Sequence, residues 1–91
     1  MDNMCEEKCI ETLFDTVDLM CSKDYKDRFR AEYYQTKIRY NRLYKTLVKY
    51  EAKTLEFEPT CPIEILKRQC FHMREYLYDL EVRAEIEKIE L

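Results

Sequence analysis

The sequence predicts an all-α fold: a long antiparallel helical hairpin with a shorter N-terminal helix, together an elongated three-helix bundle. Three observations predict it. The chain of 91 residues has no glycine and two prolines, although glycine ordinarily makes up about 7% of a protein. Tyr33, Thr36, Tyr40, Leu43, Leu47, Tyr50 and Thr54 recur at 3-4 spacing, as do Ile63, Leu66, Cys70, Met73, Leu77, Leu80 and Ala84. Each set lines one face of a helix. Between the two sets stand Pro59 and Pro62, and a residue before proline is pushed away from helical dihedrals.

The first helix is expected over residues 3–21. Ile10, Leu13, Phe14, Val17 and Met20 form its apolar stripe. Asp2 or Asn3 would cap it, and Glu6 and Glu7 suit the positive end of its dipole. Ser22, Lys23 and Asp24 break the pattern. Asp24 is then the N-cap of a central helix running over residues 24–55, with Asp27 three residues on as a loose capping box. Arg42, Lys45, Lys49 and Lys53 form a basic stripe lying roughly 140° around that helix from the apolar seam. The third helix is expected over residues 62–88, with Pro62 in its first position and Thr60 or Cys61 as cap. Two helices of that length joined by a short loop are antiparallel neighbours. A lone pair buries little, so the N-terminal helix must cover the seam or the chain must form a homodimer. All 91 residues read as one helical domain.

Composition excludes several function classes. Without glycine there is no Walker loop, no dinucleotide fingerprint, no type I′ hairpin and no glycine helix cap. The longest apolar runs are two to three residues, against about 20 needed to cross a bilayer, so a cytosolic protein is expected. Five cysteines in that compartment are expected as reduced thiols or metal ligands. Net charge is −3, but its distribution is uneven. Residues 1–21 hold six acids and one base, residues 24–53 nine bases and four acids, and residues 75–91 six acids and two bases. Helices lying side by side would neutralise one another; alternatively, one of these faces meets a charged partner.

Leu66, Gln69, Met73, Tyr76, Leu80 and Arg83 follow the pattern L-x2-Q-x3-M-x2-Y-x3-L-x2-R, preceded by Arg28, Glu32, Arg39 and Leu43. This resembles a family of short helical-hairpin accessory proteins of tailed phages and prophages in Gram-positive bacteria. The similarity covers about residues 25–91. Thr36 departs from it, standing where a leucine is usual. The resemblance implies a phage accessory product. By analogy with small enzyme-free phage proteins it points to action against host defence, with anti-CRISPR inhibition the leading example.

Candidate chemistry is sparse. Cys5 and Cys9, at i and i+4, face one side of the first helix and could hold two positions of a tetrahedral zinc. Cys70 and His72 come within about two turns of them if the first helix folds back along the second. Those two stand at i and i+2 and point apart on a regular helix. The alternative makes Cys70 a small core residue and Cys5 and Cys9 surface thiols. Cys61, at a helix start, would favour the thiolate, but His72 lies about three turns away and nothing orients it. No enzyme is expected. Arg39, Arg42, Tyr44, Lys45 and Lys49 are the candidate partner-binding set, since arginine and tyrosine are enriched at binding hot spots.

Four functions fit these residues. One is an anti-CRISPR inhibitor that docks on a type II effector nuclease, a host defence protein, and blocks DNA loading by occupancy. Others are a helical oligomerisation or scaffold module, and a protein that sequesters a small signalling molecule, such as a nucleotide, between protomers, for which the sequence shows no polar pocket. The fourth, direct nucleic-acid binding, is disfavoured by the acidic flanks.

Overall fold

The computed structural model describes residues 10–91. Of these, 74% are helical, roughly twice the share in ordinary globular domains. A 3₁₀ turn over Leu13–Thr16 leads into α1 (Val17–Met20), followed by α2 (Tyr25–Ala52) and α3 (Ile63–Glu87). No strand occurs among the described residues. The chain divides into two compact units, Met1–Ile38 and Arg39–Leu91.

In the first unit the N-terminal helix is shorter than its apolar stripe suggests. Asp15 is the reason. Its Oδ2 accepts hydrogen bonds from the backbone N–H groups of Glu11 and Thr12, each at 3.0 Å. That ties off the chain at Thr12 and starts a tight turn there. The expected caps Asp2 and Asn3 lie outside the described residues. Thr16 is fully buried; its hydroxyl donates to the Leu13 carbonyl at 2.7 Å and accepts from Gln35 Nε2 at 2.9 Å. The same amide nitrogen lies 3.4 Å from the Met20 sulfur. The N-terminal segment therefore packs on the face of α2 that carries Ala31 and Gln35. Ala31 is buried there, while Phe29 and Tyr33 are buried on the other side of the helix. Lys37 donates to the Tyr33 hydroxyl at 3.4 Å and sits 5.7 Å from its ring centroid.

The start of α2 matches the expected Asp24 cap: Lys26 N–H donates to Asp24 Oδ1 at 3.0 Å. Asp27 completes the cap indirectly. The Asp24 N–H donates to Ser22 Oγ at 3.0 Å, and Ser22 Oγ donates to Asp27 Oδ2 at 2.8 Å. A serine thus bridges a gap that aspartate, one methylene shorter than glutamate, leaves open.

In the second unit, α2 ends at Ala52 rather than residue 55. Lys53 takes a left-handed conformation with φ of 66°. Thr54 N–H then donates to the Lys49 carbonyl and Lys53 N–H to that of Tyr50, which is a Schellman cap. The helix end of α3 repeats the device. Lys88 has φ of 58°, and Ile89 N–H reaches the Ala84 carbonyl at 2.9 Å. So the lack of glycine removes glycine caps but not the left-handed cap itself. Pro62 is the N-cap of α3, with Ile63 in the first helical position. The Pro62 carbonyl accepts from both Ile65 and Leu66, which takes the role expected of Thr60 or Cys61. Loop 53–62 turns the chain back, so α3 runs antiparallel to residues 39–52 of α2. The core of this unit is Cys70, Leu77, Leu80, Ala84 and Ile89. Tyr50 and Thr54, expected in the seam, are exposed; Tyr50 lies beside Leu55, Phe57 and Pro59 of the following loop instead.

Candidate functional site

The second unit carries a groove of about 330 Å³ between residues 40–51 of α2 and residues 67–74 of α3. Helical spacing builds both walls. On α2, Tyr40, Tyr44, Leu47, Val48 and Glu51 fall at 3-4 spacing; on α3, Lys67, Cys70, Phe71 and Arg74 do the same. Tyr40 and Tyr44 stack with ring centroids 5.9 Å apart and planes 23° from parallel. Phe71 on the opposite wall is half exposed and meets His72 edge-on at 5.7 Å. Lys67 and Arg74 stand one turn to either side of Phe71. Both are exposed, and neither has an acidic partner among the described residues. Buried Cys70 lies at the α3 wall of the groove. Burial pushes its thiol pKa up, and the Arg74 charge pulls it partly back. The thiol is therefore held in its protonated form rather than as a thiolate.

This arrangement offers flat aromatic surface with two cations beside it. Such surface takes a planar ring by stacking, and the cations take an attached anionic group.

The basic stripe of α2 sits elsewhere. Arg39, Arg42, Lys45 and Lys49 are all exposed, and none has an ion-pair partner among the described residues. Tyr44 does not join them. It stacks on Tyr40 and lines the groove, about 100–160° around the helix from Arg42, Lys45 and Lys49. The structure thus splits the expected partner-binding set into a groove residue and a cationic outer face.

Of the four expected zinc ligands, only Cys70 and His72 fall among the described residues, and those two do not share a site. Cys5 and Cys9 lie outside the described residues. Cys70 is buried at the groove, whereas exposed His72 lines a separate shallow depression with Ile65, Arg68, Gln69, Met73 and Tyr76. Among the described residues, no three His, Cys, Asp or Glu side chains converge as a metal site would need. The groove itself was not anticipated. The sequence pattern places Tyr40 in the seam and gives Lys67, Phe71 and Arg74 no role. The available signal was their i, i+4, i+7 spacing on α3, which places two cations and an aromatic ring on one face.

No helix among the described residues is long and apolar enough to cross a membrane. A family model described as Sequestin matches residues 23–86. The match spans all of α2, loop 53–62 and nearly all of α3, and the chain belongs to that family. No curated protein and no solved structure matches the chain.

Proposed function

We propose that this member of the Sequestin family is a non-catalytic sequestering protein that withholds a nucleotide-like signal from host defence in the bacterial cytosol. The family's name suggests a sequestering protein, and the resemblance to phage accessory proteins supplies the biological setting. The observation that carries the chemical reading is the groove. Stacked Tyr40 and Tyr44 face Phe71, with Lys67 and Arg74 beside it. A base would lie on the aromatic rings, and its phosphates would reach the two cations. A stoichiometric binder needs no nucleophile, and the protonated Cys70 thiol supplies none.

Isothermal titration of the full chain with adenosine diphosphate, adenosine diphosphate ribose and a cyclic dinucleotide tests this. At least one is expected to bind, and Tyr44→Ala should weaken that complex by about 1–3 kcal/mol, the usual worth of one base–aromatic stack. Lys67→Ala and Arg74→Ala should each weaken it tenfold or more. If none of the three binds, or Tyr44→Ala leaves affinity unchanged, the groove is not the site.

A second reading rests on the outer face of α2. Four exposed cations, Arg39, Arg42, Lys45 and Lys49, stand without acidic partners among the described residues. Such a face suits an acidic surface on a defence protein, and a type II CRISPR effector is the specific candidate. Here Arg42→Glu with Lys45→Glu should abolish inhibition of the effector while leaving nucleotide binding intact.

A further inference from the structure

The outer face of α3 carries an exposed apolar stripe. Phe71, Tyr78, Val82 and Ile86 are 52%, 62%, 39% and 72% exposed. They stand at i, i+7, i+11 and i+15, within an arc of about 80°. The buried residues Cys70, Leu77, Leu80 and Ala84 centre about 150° away around the helix. This helix therefore has two apolar faces, only one of which is covered among the described residues. A stripe from Phe71 to Ile86 runs for about 22 Å at 1.5 Å per residue. A continuous exposed stripe of that kind marks an interaction surface.

Charge along α3 is segregated. Residues 63–74 hold Lys67, Arg68 and Arg74 against Glu64 alone, whereas residues 75–91 hold six acids against Arg83 and Lys88. Two copies laid parallel would set like against like. Two copies laid antiparallel would set each basic half against an acidic half. We infer that the outer face of α3 pairs antiparallel with the same face of a second copy, about a two-fold axis near Tyr78. That register places Glu85 of one copy opposite Phe71 of the other, between its Lys67 and Arg74. Val82 and Ile86 of the second copy then approach the open side of the nucleotide groove. An isologous pairing of this kind needs only one self-complementary patch. The pairing is argued from α3 alone, but Lys67, Phe71 and Arg74 also line the groove, so Glu85 of the second copy and a bound phosphate share the same two cations.

Sedimentation equilibrium of the full chain tests it. The wild-type protein should have twice the 11.3 kDa chain mass. Val82→Glu should be monomeric with unchanged helical circular dichroism. The charge pattern supplies a second arm on exposed positions. Glu85→Arg should weaken the dimer about tenfold, and Lys67→Glu with Arg74→Glu should do the same, because each sets like charges together. A one-to-one mixture of those two variants should recover a dimer, since each basic half again meets an acidic half. A wild-type monomer at about 500 µM, well above the micromolar range of specific association, overturns the inference. So does a dimer that Val82→Glu and Glu85→Arg both leave unchanged. Tyr44 lies on α2, outside the paired face, so Tyr44→Ala tests nucleotide binding with the dimer intact, and failure of the dimer and failure of nucleotide binding are read separately.

Discussion

Cys70 illustrates how a single side chain joins fold to site. It belongs to the core of the second unit and also borders the groove. Burial raises its pKa above the ordinary 9.0, with Arg74 opposing. The folded chain therefore holds the thiol proton more tightly than the unfolded chain does. The stability this contributes is complete below pH 9 and is lost as pH rises through the raised value. Other groups titrate in the same range, so the informative quantity is a difference. The stability gap between wild type and Cys70→Ala, from urea melts, should narrow between neutral pH and pH values above 9. A constant gap would show that this thiol is not desolvated. Alkylation gives a kinetic check: exposed Cys21 should react with iodoacetamide well before Cys70.

At the scale of the element, the two lysine caps hold the most local strain. Lys53 and Lys88 adopt φ of 66° and 58°, a region that disfavours side chains beyond glycine by about 1–2 kcal/mol. Glycine loses more chain entropy on folding, which offsets about half of that. Lys88→Gly should therefore stabilise the protein by about 0.5–1 kcal/mol, or raise its midpoint by about 2–8 °C. Lys88→Ala retains a Cβ and should give no such gain, which separates the backbone effect from loss of the lysine charge. The same elements show what could be read in advance. The seam of α3 was largely legible: Cys70, Leu77, Leu80 and Ala84 repeat at helical spacing and are buried, while Ile63, Leu66 and Met73 of the same stripe are half-buried. The caps were not, since an absent glycine suggests an absent left-handed turn. Phe29 lies one turn before Tyr33 and extends the seam of α2, so its burial was available to a longer reading of the stripe. Ala31 gave no signal: a methyl group is as common on a surface as in a core. Its burial follows from the Thr16–Gln35 bond, a tertiary pairing that no local spacing encodes. The groove was illegible for a related reason. Its walls come from two helices whose relative rotation only packing determines.

At the scale of the whole molecule, the net charge of −3 conceals the feature that matters, which is segregation along α3. A chain whose outer apolar stripe is covered only by a second copy gains stability from association. Its unfolding then follows mass action, because unfolding releases two chains from one dimer. Raising protein concentration from about 5 to about 500 µM should favour the folded dimer by about 1.4 kcal/mol per chain. For a chain of this size that corresponds to a rise of about 6–11 °C in the thermal midpoint. Val82→Glu should unfold at a midpoint independent of concentration. Salt supplies the electrostatic half of the argument. If Glu85 lies between Lys67 and Arg74 of its partner, screening should weaken the dimer. The concentration dependence should then shift to higher protein at 1 M salt, where the Debye length is about 3 Å, compared with about 10 Å at 0.1 M. A dimer that grows stronger with salt would instead be held by the apolar stripe alone. The antiparallel register that depends on charge would then fall, while the face itself would remain the interface.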